Sequence, residues 1–182
     1  MNATLRWIGI AAVVAALAWT LTAGQRGGGP RVGGDAPTFT VELLSGGDFS
    51  LADHRGQVVV LDFWATWCGP CKMTLPAVQE VAARHKDDAG VFIATVNTDR
   101  GGKRAEALKR WLTQRKLDFP VLLDDEQQTV STTYNVRAIP TMVVVGRDGR
   151  VASVTVGLPA TSQADIVKHI EDAIAEAVAE GG

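Results

Sequence analysis

From Val58 to Phe63 the chain runs apolar without alternation, interrupted only by Asp62. A strand covered by helices on both faces has this pattern. Upstream, Phe39-Thr-Val-Glu-Leu43 alternates, Ser45-Gly-Gly-Asp48 is turn-forming and Phe49-Ser-Leu51 follows, which predicts a small hairpin. Asp53 to Gln57 leads into the central strand. Downstream, Leu75, Val78, Val81 and Ala82 recur at spacings of three and four, predicting a helix from about Pro70 to His85. Val91 to Val96 reads as the next buried strand, Asn97 to Gly102 as a loop, and Lys103 to Lys116 as a second helix. Its Ala105, Leu108 and Leu112 share one face, extended by Trp111. A short strand at Phe119 to Leu123 precedes a polar helix around Glu126 to Thr133. Ile139-Pro140-Thr141 then breaks the chain ahead of Met142 to Val145. Asp148-Gly149 turns that strand back into Val151 to Val156 as a hairpin. Ser162 with Asp165 forms a capping box for a last helix whose buried stripe is Ile166, Ile170, Ile174 and Ala177. The order predicts an α/β sandwich ending in a hairpin and a helix.

The N-terminus follows a different pattern. After Arg6, residues Trp7 to Ala23 are uncharged and mostly apolar. That run is slightly short for a membrane span, which takes about 20 apolar residues, and long for the core of a signal peptide. Leu21 weakens a cleavage site after Ala23, and no cysteine follows that could carry a lipid. An uncleaved anchor fits better than a cleaved signal, and either fits better than a buried core helix. With Arg6 kept inside by the positive-inside tendency, the folded part lies outside the cytoplasm. Gly24 to Pro37, rich in glycine and proline, reads as a flexible tether that buries nothing. Three regions are expected: residues 1–23 as anchor or signal, 24–37 as linker and 38–182 as one domain.

With 182 residues, 46% of them hydrophobic, the chain fills one core of ordinary size. The formal charge is -2, and setting aside Arg6 and Arg26 leaves 16 basic against 20 acidic residues, a balance that excludes nucleic-acid binding as the main role. The only two cysteines are Cys68 and Cys71, so any intramolecular bridge joins these two and the core holds without other staples.

Those cysteines carry the candidate chemistry. Between them, Pro70 suits the first turn of a helix, where its missing N–H costs nothing. Cys68 is then placed at a helix N-terminus, where unpaired N–H groups stabilise a thiolate and lower its pKa below about 8.5. Cys71 comes up one turn along, near enough to close a disulfide. The expected reaction is attack of Cys68 on a substrate disulfide, a mixed disulfide, and its resolution by Cys71. A structural bridge is the bland alternative, though two residues of separation at a helix start seldom serve that purpose. Zinc would need more ligands, and His54, His85 and His169 show no ligand spacing and read as surface residues. Met73 could cap a copper(I) site, but filling the helix face is the simpler role. Trp64 is expected in the core and Trp67, beside Cys68, on the substrate surface.

Phe63-Trp64-Ala65-Thr66-Trp67-Cys68-Gly69-Pro70-Cys71-Lys72, with Pro76 five residues on and Ile139-Pro140-Thr141 far downstream, resembles the thioredoxin superfamily over about Asp35 to Ala177. The leading hairpin, the Lys103–Lys116 helix and the exported N-terminus resemble its membrane-anchored branch, the TlpA and ResA type of thiol:disulfide oxidoreductase. The implied fold is a thioredoxin-like α/β/α sandwich with a central mixed sheet, an N-terminal β-hairpin and an extra central helix. The resemblance implies that Pro140 is a cis-proline facing the dithiol and that Ile139 presents its backbone to bound peptide. It also implies that Asp62 is the buried proton acceptor for Cys71. A carboxylate in an apolar strand is costly, so its pKa should rise towards neutrality. Pro76 would kink the first helix. Two positions depart from the pattern. Thr74 stands where TlpA and ResA types usually carry glutamate, and Thr95 stands where thioredoxin places a lysine beside the aspartate.

The resemblance therefore implies a protein-disulfide reductase with Cys68, Cys71 and Asp62 as catalytic residues, and Trp67, Gly69, Pro70, Ile139 and Pro140 meeting substrate. No metal and no cofactor is expected. The Gly-Pro pair resembles reducing members, with potentials near about -270 mV. Expected partners are a disulfide-containing protein, in cytochrome c maturation or as another exported client, and a membrane thiol donor of the DsbD or CcdA kind. The expected location is the outer face of a bacterial inner membrane, in the periplasm or its equivalent. A copper- or partner-holding module without enzymatic activity is the alternative. A peroxidase is third, because the peroxide-binding loop motif is absent.

Overall fold

The computed structural model describes residues 30–101 and 103–181. The expected anchor and the first part of the expected linker lie outside them. Among the described residues no helix is long and apolar enough to cross a membrane.

Two short strands, β1 (Thr40–Glu42) and β2 (Asp48–Ser50), form the expected antiparallel hairpin, with Val41 opposite Phe49. A 3-10 turn at Leu51–His54 then delivers β3 (Val58–Trp64), all seven residues of which are buried. It is the middle of a five-stranded sheet ordered β5-β4-β3-β6-β7, with β4 at Val91–Asn97, β5 at Val121–Leu123, β6 at Thr141–Val145 and β7 at Val151–Val156. Strands β3, β4 and β5 run parallel, β6 runs antiparallel to β3, and β7 turns back antiparallel to β6. The helices are α1 (Cys71–Arg84), α2 (Arg104–Arg115), α3 (Thr129–Thr133) and α4 (Gln163–Glu180). The result is a thioredoxin-like α/β fold with a mixed sheet and an N-terminal hairpin.

Alternation along β3 divides the core in two. Val58, Val60 and Trp64 join Leu75 and Val78 of α1, Leu108 and Leu112 of α2, and Ile166 and Ile170 of α4. Val59, Leu61 and Phe63 pack instead with Phe49, Leu51, Val130 and Tyr134 from the hairpin and α3. Complete burial of a side chain of this size is worth ~1.5–3 kcal/mol. A slip of one residue would exchange the two sets, so register and core specify each other. Ser162 caps α4 by accepting the Asp165 N–H, as its sequence predicted.

One expectation needs correcting. Residues 33–36 do not hang free. The Gly33 N–H donates to the Val151 carbonyl at 2.8 Å, Val151 N–H to Gly34 at 2.9 Å and Ala36 N–H to Gly149 at 3.0 Å, with Ala36 itself buried. The Tyr134 hydroxyl donates to the Pro37 carbonyl at 2.9 Å. Glycine-rich composition suggested a tether, yet small residues also let backbone lie close against the β6–β7 hairpin. The folded unit therefore begins before Thr38.

Where α1 meets α4, His85 Nε2 lies 2.9 Å from Glu171 and Nδ1 lies 3.3 Å from Asp88, with Arg84 also on Glu171. Burial opposes protonation of His85, but the hydrogen bonds to Glu171 and Asp88 outweigh it and raise its pKa. A raised folded pKa gives stability below the unfolded value that is lost as pH rises through the folded one. Between pH 5.5 and 9 the wild-type Tm should therefore fall further than that of His85→Gln, by about 2 °C for a partly buried pair still screened by solvent. Parallel Tm curves in scanning calorimetry would remove this role.

Candidate functional site

Strand β3 ends at Trp64, and the chain turns through Ala65, with Cys68 N–H donating to its carbonyl at 3.1 Å. Helix α1 begins at Cys71, one residue later than expected, and Pro70 serves as its N-cap with helical φ of -57°. Cys68 and Cys71 form a disulfide with Cα atoms 5.3 Å apart. The first helical N–H, that of Cys71, donates to Cys68 Sγ at 3.1 Å. This is the orphan donor that a helix N-terminus offers to a sulfur carrying negative charge. Cys68 is 4% exposed while Cys71 is fully buried, so attack from outside falls on Cys68. Trp67 beside it is 71% exposed, and Gly69 and Pro70 are also exposed.

The other wall comes from the start of β6. The Ile139–Pro140 peptide bond is cis, and the Ile139 carbonyl oxygen lies 3.7 Å from Cys68 Sγ. Antiparallel pairing of β6 with β3, Thr141 opposite Phe63, carries that bond to the dithiol pole of the sheet. Pro140 is tied in turn to β7, whose end it meets through Gly157 N–H at 2.8 Å. Cys68, Cys71, Trp67, Gly69, Pro70, Ile139 and Pro140 thus lie at one pole of the sheet, with Cys71 and Pro140 buried there.

Asp62 lies below it. The residue is 1% exposed and alternates with Val60 and Trp64, on the face of β3 covered by α1. Among the described residues neither carboxyl oxygen has a hydrogen-bond partner, and burial pushes its pKa up to about 8. No compensating cation is present at the position thioredoxin would use: Thr95 pairs directly across from Asp62 and turns its hydroxyl to the Pro120 carbonyl at 3.4 Å. Thr74, at the other departure, donates its hydroxyl to the Cys71 carbonyl at 2.9 Å and supplies no acid.

Trp64 is in the core, its ring 5.2 Å from that of Trp111, and its indole N–H has no partner among the described residues. Pro76 lies inside α1, where its ring removes the bond to the Lys72 carbonyl. Met73 does not fill the helix face; it is 49% exposed. The histidines are not simple surface residues either. His54 packs against both Phe49 and Phe92, which also touch each other, His85 joins Glu171, and His169 Nε2 sits 2.9 Å from the Thr155 hydroxyl. Among the described residues no three His, Cys, Asp or Glu side chains are grouped to hold a metal.

Sequence reasoning missed Asp99. Its two carboxylate oxygens accept the Thr66 N–H at 3.1 and 3.2 Å, two residues before Cys68, and its carbonyl accepts from Arg104 at 2.9 Å. Asn97 Nδ2 donates to the same carboxylate. Acidic residues after strands commonly cap loops, so nothing in the sequence distinguished this one.

Residues 32–154 match the AhpC/TSA family. The chain is 33% identical over 140 residues to the thiol-disulfide oxidoreductase ResA of Geobacillus kaustophilus, covering 77% of this chain and 76% of that one. A Chlorobium tepidum protein described as a thiol:disulfide interchange protein DsbE superposes with a TM-score of 0.67 at 32% identity, over 83% of this chain and 97% of that one. A secreted Mycobacterium tuberculosis disulfide oxidoreductase homologous to E. coli DsbE gives 0.61 at 27%, over 74% and 95%.

Proposed function

This chain belongs to the AhpC/TSA family and is a thiol-disulfide oxidoreductase of the ResA and DsbE type, and from that premise we propose that it works outside the cytoplasm as a reductant of protein disulfides. The observation that carries the reading is the Cys68–Cys71 disulfide at the first turn of α1, with the Cys71 N–H on Cys68 Sγ and the Ile139 carbonyl opposite. In the reducing direction the Cys68 thiolate attacks one sulfur of the client disulfide. A mixed disulfide forms, the client S–S bond breaks, and the departing client thiolate takes a proton from solvent. Cys71 then passes its thiol proton to the Asp62 carboxylate and attacks Cys68 Sγ. The internal disulfide forms, and the second client sulfur leaves as thiolate. Two electrons have moved to the client, and a membrane thiol donor of the DsbD or CcdA kind returns them.

Trp67, Gly69, Pro70, Ile139 and Pro140 are the surface against which the client lies. The Trp7–Ala23 run and the likeness to a secreted relative support a location beyond the membrane, with the N-terminal segment as anchor. An exported protein, apocytochrome c included, is the client class. The AhpC/TSA match extends to the peroxidase reading in name, but Cys68 sits in a dithiol at a helix start with its resolving partner three residues away.

Direction is tested by equilibrating the protein with glutathione. A potential near that of thioredoxin, about -270 mV, is expected, and one more positive than about -180 mV would make the protein an oxidant. Insulin reduction by the wild type, with Cys68→Ser as control, tests the activity itself.

A further inference from the structure

Helix α2 and its two flanking residues, Lys103 to Lys116, carry six Lys and Arg and one Glu, leaving 12 basic against 19 acidic residues in the rest of the chain. An acidic protein thus concentrates positive charge on one helix. Lys103, Lys109, Arg110, Arg115 and Lys116 are all exposed, and none has a carboxylate within 4.0 Å among the described residues. Two members have other work. Arg104 donates to the Asp99 carbonyl, and the Arg115 guanidinium stacks 4.0 Å over Trp111. Lys103 and Arg110 are seven residues apart, as are Lys109 and Lys116, so each pair lies along one side of the helix.

The position of this charge gives it meaning. Strand β4 runs parallel to β3 and ends at Asn97 opposite Trp64, so the crossover containing α2 starts at the dithiol pole. Leu108 and Leu112 pack into the α1 side of the core and Trp111 lies on Trp64. The helix is fastened at its first end to the site and at its last end to α1. Asp99, whose carbonyl accepts from Arg104, holds the Thr66 N–H, and Asp118 N–H meets Gln79 of α1 at 2.5 Å. A partner bound along α2 is therefore held in fixed relation to Cys68.

We propose that the exposed basic face of α2 docks an acidic surface of the disulfide-bearing client, steering its disulfide to Cys68. This deepens the oxidoreductase reading and rests on it. Complementary charge acts chiefly on encounter rate, so the effect belongs in kcat/KM and fades with salt. A solvated charged face with no partner would leave substrate choice unaltered.

The probes are two cyclic peptides closed by one disulfide, one flanked by glutamates and one by lysines, with neutral hydroxyethyl disulfide as a third substrate. The test variant is Lys103→Glu/Lys109→Glu/Arg110→Glu, which spares Arg104 and Arg115. At low ionic strength its kcat/KM for the acidic peptide should fall about tenfold and that for the basic peptide should rise, with hydroxyethyl disulfide unchanged. Wild-type preference for the acidic peptide should disappear by about 0.5 M salt. Equal kcat/KM for both peptides, or a variant that loses both alike, overturns the proposal. So does loss of binding to phosphatidylglycerol vesicles without any change in peptide preference, which would make the face a membrane contact. A wild type inactive on hydroxyethyl disulfide would instead overturn the oxidoreductase reading.

Discussion

Replacing Cys68 by serine should lower turnover of a protein disulfide by at least about 10³-fold, while Cys71→Ser should stop the same reaction halfway, as a covalent complex. The asymmetry follows from burial. Cys68 Sγ is reached from the surface, faces the Ile139 carbonyl at 3.7 Å and receives the Cys71 N–H at 3.1 Å. Cys71 is fully enclosed and can reach only Cys68. Serine at position 68 removes the nucleophile, and no client sulfur can approach Cys71 in its place. With serine at position 71 the first exchange still proceeds, because a backbone N–H and not the Cys71 side chain stabilises the attacking sulfur. Its product has no resolving thiol. Non-reducing electrophoresis with mass spectrometry should show a client-linked adduct for Cys71→Ser and none for Cys68→Ser. An adduct through Cys71 in the Cys68→Ser protein would reverse the two roles. The captured client would also name the partner whose acidic surface α2 is proposed to meet.

Much of this architecture was legible because local and long-range signals agree. The apolar run at Val58–Phe63, without alternation and interrupted only by Asp62, read as a central strand, and Asp148-Gly149, whose glycine adopts a φ of +77°, marked the returning hairpin. Residues that act through distant partners were less legible. Nothing local to Gly33–Ala36 indicates that they lie on Val151, because the pairing depends on a hairpin over 100 residues away. Asp99 looks like any loop aspartate until Thr66 is brought to it. Met73 followed the apolar residues in type, but its position on α1 faces outward. Pro140, as a cis-proline facing the dithiol, was placed by resemblance; the antiparallel return of β6 along β3 is what brings it there.

Asp62→Asn should separate the chemical contribution of this carboxyl from its cost. A group buried with no hydrogen bond and a pKa near 8 binds a proton in the folded state that the unfolded chain has released. Since the folded state binds more protons, stability falls as pH rises, beginning at the unfolded value of 3.8 and levelling off above about 8. Asparagine cannot ionise. The variant should therefore gain on the wild type across that window, by an amount on the order of 5 kcal/mol at pH 9 and near zero at pH 4, read from urea unfolding. Catalysis should move the other way. Resolution by Cys71 needs a base at the moment its thiol proton leaves, and a carboxyl poised near neutrality suits that task. Stopped-flow resolution of a preformed mixed disulfide should slow about 100-fold in Asp62→Asn. The wild-type limb that rises towards pH 8 should also disappear, leaving the titration of Cys71 alone. Gain of stability with an unaltered resolution profile would mean that Asp62 is a buried acid without a part in proton transfer. Thr95, across from Asp62, gives the converse: Thr95→Lys should place an ammonium beside the carboxylate, lower its pKa and shift the same limb to lower pH.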